Sequence, residues 1–403
     1  MIFSNPQFIL YLLGFLFLYE LIGRTQIRNY FLVASSLLFY LIFAGVAALF
    51  ILIFAAFTTW ICLKSLKTKL IPVGIFANIL LLFSFKYLHT NNLFINAHEY
   101  LLSYLSLNEI QDLIPKWIEV LIIPLGLSFY VFELIHLLIE KFRGGITHLS
   151  LSEYLNFIFF WPTVIAGPIK RLKGFNVPDL SDLPLVTRLY RSVPIVALGY
   201  FYKVIGDNLS VLIRVLEGNL NSMSPNQARL LILILGLRIF FDFAGYSYIA
   251  IGISRQIGVN LPRNFHAPYL ALNIRDFWNR WHISLSSWIR DYVYVPLGGN
   301  RNGAARKRLN LLAAMALCGA WHGGTSNFVL WGVYHGILLA SYDWLSSRKK
   351  VSKNLRSSKN KFLLILRFRE SISWIFTQIL VFLGWTLFFY PITDAFDILR
   401  VAI

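Results

Sequence analysis

Residues 309–340 read LNLLAAMALCGAWHGGTSNFVLWGVYHGILLA. Two apolar pieces, 309–320 and 328–340, flank a polar centre in which Trp321 and His322 precede Gly323 and Gly324. Each piece is shorter than the roughly 20 apolar residues that a bilayer-spanning helix needs. The pattern predicts a helix break at membrane depth, and backbone leaves the helix there only where protein or an aqueous cavity surrounds it. An ionisable ring at such a break is costly unless it is used or paired. Imidazole also has the ordinary pKa best suited to taking up and returning a proton near neutral pH. His322 is therefore a candidate acid–base group, set against the plainer reading of a structural histidine beside a glycine kink.

The surroundings of that stretch decide the class. Of 403 residues, 57% are hydrophobic and 14% charged, against about 45–50% and about 25% in soluble domains. Mean hydropathy is +0.63, concentrated in long apolar runs. The reading is an all-α polytopic membrane protein with roughly ten spans, a single integral-membrane domain over residues 1–403. The formal charge of +18 comes from short basic clusters between apolar runs, as the positive-inside bias requires. Nucleic acid is excluded as a partner on that ground, and the lipid bilayer is the expected one. Cys62 and Cys318 both stand in apolar sequence without metal or disulfide spacing, and no metal is expected.

Basic residues thread the topology. The apolar run 8–22 has no basic residue before it and no small-residue cleavage site after it, so it reads as a retained span rather than a signal peptide. Arg24 and Arg28 place the next loop inside; runs 30–42 and 46–62 return the chain to Lys64, Lys67 and Lys69; run 70–85 leads out to a polar loop, 89–116. Run 117–139 comes back to Lys141 and Arg143. Residues 151–169 are apolar but broken by Pro162, Gly167 and Pro168, with basic residues at both ends, which predicts a re-entrant segment. Runs 193–216 and 230–253 read as spans, 260–308 as a cytoplasmic interfacial or re-entrant block, and 372–390 as the last span. Residues 346–369 carry nine Lys/Arg and no acid, which predicts a cytoplasmic loop near anionic lipid.

Six of the seven further histidines, all but His266, can be weighed against His322. His89, His98 and His148 lie in polar connections, and His335 sits inside an apolar piece where packing suffices. Glu133 and His136 share a face in a predicted span, and a mutual hydrogen bond is the simplest expectation. His282 lies in the densest polar-aromatic stretch, residues 274–291, IRDFWNRWHISLSSWIRD. On one helix Asn279, His282 and Ser286 would share a face, with Trp281, Leu285 and Trp288 on another. A membrane-interface belt explains the aromatics but leaves the His-Asn-Ser face without a purpose. No P-loop, dinucleotide fingerprint, HExxH or GxSxG is present.

Taken in order, the motifs resemble one family. Pro124-Leu125-Gly126-Leu127-Ser128-Phe129-Tyr130, Ala166-Gly167-Pro168-Ile169 and Phe241-Asp242-Phe243-Ala244-Gly245-Tyr246-Ser247 are followed by the Asp276–Ser286 stretch. Pro296-Leu297-Gly298-Gly299-Asn300-Arg301 and Trp321-His322-Gly323 complete the series. The chain is similar to the membrane-bound O-acyltransferases, in the bacterial branch of alginate O-acetyltransferases and teichoic acid D-alanyl transferases. The resemblance implies a ring of tilted helices with re-entrant helices around a central tunnel, in the inner membrane of a bacterial cell. It implies His322 as the catalytic histidine and His282, forty residues upstream at the second polar position, as a second catalytic residue that with Asn279 orients the acyl group or stabilises the developing oxyanion. Asn279, Ser286, Trp321 and Arg280, in the same motifs, and Asp291, at the end of the 274–291 stretch, are the expected substrate-binding residues.

The activity so implied is transfer of an acyl group, acetyl first and D-alanyl as the alternative, to a hydroxyl acceptor in the cell envelope. The donor is an acyl thioester, acetyl-CoA or a phosphopantetheinyl carrier protein, with no tightly bound cofactor. Basic residues such as Arg301 and Arg306 to Arg308 would attract an acidic carrier or a phosphate-bearing donor. The expected partners are an external acyl-accepting protein of SGNH-hydrolase type and a cytoplasmic acyl carrier protein. A transporter of a small anionic solute is the rival, weakened by the lack of the repeated halves that such proteins show.

Overall fold

The computed structural model describes residues 5–22, 25–65, 67, 69–88, 124–165, 167–177, 184–218, 222–349 and 359–403. Among these every regular element is helical. The residues fall into two compact units, one of residues 1–197 and 248–262, the other of 198–247 and 263–403.

The first unit holds α1 (Pro6–Leu21), α2 (Thr25–Ala44), α3 (Val46–Lys64), α4 (Leu70–Phe83), α5 (Leu127–Phe142), α6 (Leu151–Ile158) and the single turn α7 (Trp161–Val164). The start of α8 (Leu185–Glu217) and the end of α9 (Pro225–Gln256) also belong to it. The broken segment 151–169 is seen as α6 and α7, with the backbone leaving the helix at Phe159 and again after Val164. Helix α6 starts on a reciprocal cap: Ser150 Oγ accepts from the Glu153 amide while the Glu153 carboxylate accepts from the Ser150 amide. Hydrogen bonds from Ser150 hold the Glu153 carboxyl below its ordinary pKa. Helix α7 drives Trp161 into an aromatic cluster, with Phe15, Phe39 and Tyr11 at 5.2–5.4 Å between ring centres.

Polar groups then pin this segment to α5. The Lys170 ammonium lies 2.7 Å from the Glu133 carboxylate, both side chains 1% exposed, and donates to Thr163 Oγ1 at 2.8 Å. His136 Nε2 accepts from the Leu172 amide at 2.9 Å. The expected Glu133–His136 bond is thus replaced by two anchors for the segment that follows α7. Being on one helical face does make the pair act together, but on the neighbouring loop, whose backbone groups need partners more. Gly126 begins α5 at φ 77°, where a Cβ would stand 2.1 Å from the Val164 carbonyl oxygen, so only glycine fits.

The second unit holds the rest of α8 and α9 with α10 (Ile274–Arg280), α11 (Ile283–Ile289), α12 (Gly303–His322), α13 (Ser326–Lys349), α14 (Lys359–Phe389) and α15 (Ile392–Ala402). Helices α12 and α13 form a close hairpin. A Cβ on Gly319 would lie 2.1 Å from the Phe328 carbonyl oxygen and one on Gly332 would lie 2.2 Å from that of Met315.

Six helices among the described residues are long and apolar enough to cross a bilayer: α2, α3, α4 with its π-helical extension to Tyr87, α8, α9 and residues 369–389 of α14. Helix α1 is a shorter apolar helix. The expected polar loop 89–116 and the first residues of run 117–139, up to 123, lie outside the described residues. The basic stretch 346–369, expected as a loop, is instead largely helical: α13 runs on to Lys349 and α14 starts at Lys359. Lysine and arginine are good helix formers, and their charge bears on membrane side rather than on backbone conformation. The short helix α15, which the apolar pattern did not single out, buries Ala395, Ile398 and Ala402.

Candidate active site

His322 is the last residue of α12, and Gly323 caps it with extended backbone. The break expected within 321–327 is therefore confined to residues 323–325. The apolar pieces 309–320 and 328–340 lie inside longer helices of 20 and 24 residues, because the polar flanks are helical too. The His322 ring is half-buried and meets three aromatic rings at steep angles: Trp321 at 4.8 Å, Phe388 at 5.0 Å and Trp331 at 5.2 Å between ring centres. Such a site keeps the imidazole reachable while limiting its rotamers.

His282 is held differently. The predicted continuous helix across 274–291 breaks at Trp281 and His282, giving α10 and α11 in place of one helix. His282 has φ 41°, one of two positive-φ non-glycine residues among those described. That conformation is uncommon outside glycine and persists when surroundings enforce it. Here the segment 264–266 enforces it. The His266 amide donates to the Arg280 carbonyl at 2.9 Å and the Ile283 amide to the Asn264 carbonyl at 2.8 Å. Asn264 Oδ1 meets His282 Nδ1 at 3.0 Å and Ser284 Oγ at 2.9 Å, and Asn264 Nδ2 donates to Ser247 Oγ at 3.1 Å. Because Oδ1 only accepts, Nδ1 carries the proton in this arrangement. Burial lowers the His282 pKa to about 3, so the ring is neutral. Its face packs on Phe243 at 4.6 Å and on Trp321 at 6.2 Å. The two histidines thus share one indole.

A cavity of about 480 Å³ lies in the same unit, and its lining includes Ile283, next in sequence to His282, but neither histidine. Its wall includes Asn279, Ser286 and Trp278 from α10 and α11, and Ala314, Met315 and Cys318 from α12. Cys318 is one helical turn before His322, about 6 Å along the axis. Of the five expected substrate-binding residues, Asn279 and Ser286 line the cavity. Arg280 donates to Asp276 at 2.8 Å and Asp291 accepts from Arg290 at 2.8 Å; neither is part of the lining. Trp321 contributes through its contacts with both histidines. The separation of α10 from α11 explains why His282 leaves the face of Asn279 and Ser286: the left-handed turn rotates its ring toward Asn264.

Basic groups at the cavity are Arg275, Arg290 and Lys307. Burial alone would raise the Asp343 carboxyl, but Lys307, Arg275 and Arg308 around it hold it below its ordinary pKa. Of the basic residues expected to attract a donor, Lys307 is placed at the cavity, while Arg301 donates to the Val295 carbonyl at 3.2 Å. Among the described residues no group of three His, Cys, Asp or Glu could hold a metal ion.

Comparison with known proteins decides what this arrangement belongs to. The model of the membrane-bound O-acyltransferase family matches residues 78–383. The chain belongs to that family. A probable alginate O-acetylase of Pseudomonas putida is 32% identical over 402 residues, covering 96% of this chain and 77% of the relative. A peptidoglycan O-acetyltransferase of Helicobacter pylori is 32% identical over 387 residues, 84% of this chain and 70% of the relative. A teichoic acid D-alanyltransferase of Streptococcus thermophilus is 34% identical over 253 residues, 58% of this chain and 60% of the relative. As a family member with several bilayer-length apolar helices, the chain is a multi-pass membrane acyltransferase.

The sequence did not point to Asn264, Trp331 or Phe388, whose roles arise from contacts far along the chain. Asp343 left a signal: it is the sole acidic residue from 292 to 369, amid a strongly basic stretch.

Proposed function

We propose that this acyltransferase moves an acyl group, acetyl foremost, from a thioester donor bound on the cytoplasmic side to a hydroxyl of an external acceptor, in the inner membrane of a bacterium. The observation that carries this reading is the half-buried His322 at the end of α12, one turn from Cys318 in the wall of the 480 Å³ cavity. The cavity receives the thioester. An imidazole nitrogen of His322 removes the acceptor hydroxyl proton as that oxygen attacks the thioester carbonyl. The tetrahedral oxyanion collapses, the carbon–sulfur bond breaks, and the leaving thiolate takes the proton back from His322. Asn279, on the cavity wall, supplies an amide donor for the oxyanion. His282 is a positioning residue that acts through Trp321, whose ring touches both histidines.

Acetyl is favoured over D-alanyl because the similarity to the alginate O-acetylase spans 96% of the chain, against 58% for the D-alanyltransferase. The acceptor in this reading is a separate external protein of SGNH-hydrolase type that passes the group to an envelope polymer. The donor is acetyl-CoA or an acylated carrier protein. The test is acyl incorporation from radiolabelled donor into envelope material by membranes that carry wild-type protein or His322→Ala. The proposal expects incorporation with wild type and none above background with the variant. Uptake of label without covalent transfer would favour transport instead.

A further inference from the structure

Three cations gather around one carboxylate at the cavity. Asp343, its side chain 7% exposed, accepts from Lys307 Nζ and from Arg275 Nη2 at 3.1 Å, with Arg308 Nε at 3.5 Å. Lys307 and Arg275 are themselves cavity-lining residues. The four groups sum to a formal charge of +2. A carboxylate that neutralises a single cation needs one partner, whereas this one draws together three part-exposed cations that repel one another and leaves a surplus of positive charge. The same wall also carries apolar side chains, Ile283, Leu311, Met315 and Leu339. Cations and hydrocarbon in one cavity wall suit a ligand with an anionic head and an extended uncharged arm. Lys307 and Arg275, both donating to Asp343 Oδ1, keep further N–H donors beyond that bond, and several donors in one place match the several oxygens of a phosphate.

We propose that Asp343 is a positioning residue that sets Lys307 and Arg275 as a two-cation clamp, and that the clamp takes a phosphate ester carried by the thioester donor. This rests on the reading that the cavity receives that donor. Coenzyme A and a carrier-borne phosphopantetheine share this phosphate chemistry. The charge arithmetic separates positioning from plain attraction. Replacing Asp343 by asparagine makes the cluster more positive, so attraction alone would tighten anion binding, while loss of the carboxylate that orients the cations loosens it.

The experiment measures binding to the purified full chain carrying His322→Ala, which keeps the chemistry silent. The probes are non-transferable ketone analogues of acetyl-CoA, of acetyl-phosphopantetheine and of acetyl-pantetheine, the last lacking phosphate. D343N is expected to weaken both phosphorylated probes about tenfold, a loss of the size of one charge-assisted hydrogen bond, and to leave acetyl-pantetheine within about twofold. K307Q should show the same selectivity, and Asp343→Glu should recover part of the loss. Tighter binding of the phosphorylated probes to D343N, or equal weakening of all three, overturns the clamp. Equal affinity for the CoA and phosphopantetheine probes supports a clamp fed by a carrier protein, and tighter CoA binding supports one fed by the free coenzyme. Failure of all three probes to bind overturns both the clamp and the donor reading. Full acyl transfer by the His322→Ala protein, with phosphate-selective binding intact, overturns only the catalytic role of His322.

Discussion

Asn264→Leu isolates the support of His282 with little change in volume. Asn264 and His282 are each 1% exposed and Ser284 is 4% exposed. The substitution removes the acceptor shared by His282 Nδ1 and Ser284 Oγ, at 3.0 and 2.9 Å, and the donor to Ser247 Oγ. Losing a buried partner costs about 1–3 kcal/mol for each group left to find another, so the two strongest contacts together represent about 2–6 kcal/mol. Part returns through relaxation, and the backbone bonds at Arg280 and Ile283 remain. A net loss of about 3 kcal/mol is the working value. If half of it falls on the placement of His282 and Trp321 in the reacting state, the rate falls about tenfold, at about 1.4 kcal/mol per tenfold. The assay pairs thermal unfolding in detergent with acetyl transfer from thioester in proteoliposomes. A lower melting temperature with a roughly tenfold slower transfer is expected. Asn264→Asp, which keeps an acceptor oxygen, should lose less. Wild-type melting and transfer in Asn264→Leu would refute the role assigned to this side chain.

Other consequences follow from packing and charge. Gly319→Ala puts a Cβ 2.1 Å from the Phe328 carbonyl oxygen, a backbone atom that cannot yield alone, so α12 and α13 must part at the end that carries His322. Overpacking costs about 1–3 kcal/mol, and both folded yield and turnover number should fall; unaltered turnover would show that the hairpin spacing does not place His322. Glu133→Gln leaves the buried Lys170 ammonium without its carboxylate and should destabilise by about 3–5 kcal/mol, read as thermal melting. The double variant Glu133→Leu with Lys170→Met should recover much of that loss. Ala314→Phe narrows the 480 Å³ cavity and should raise the donor KM at least tenfold; an unchanged KM would place donor binding elsewhere.

The membrane class and the helix break at His322 were legible because both are local properties: long apolar runs, and two glycines after an imidazole. The break proved narrower than the apolar pieces implied, since hydropathy reports which residues avoid water and helices α12 and α13 continue through the polar flanks. The pairing of Glu133 with Lys170, and of His136 with the Leu172 amide, could not be read from helical spacing. A face shared at i and i+3 says which residues can act together, not which loop they meet. The turn at His282 was hidden for a related reason. Its φ of 41° is imposed by Asn264, eighteen residues upstream, and residues 274–291 carry no glycine or proline to mark it. Asn279 and Ser286 still reach one cavity, by way of two short helices rather than the single face expected.

The central claim is that the imidazole of His322 carries the proton during acyl transfer. Its most direct measurement is the rate of thiol release from acetyl thioester, in the presence of acceptor, by purified His322→Ala in proteoliposomes, with and without added imidazole. Positioned acid–base catalysis is worth about 10²–10⁴-fold. The account predicts a loss of that order with donor affinity preserved, and partial recovery when free imidazole enters the vacated space. Acceptor-dependent release at the wild-type rate by His322→Ala would contradict it.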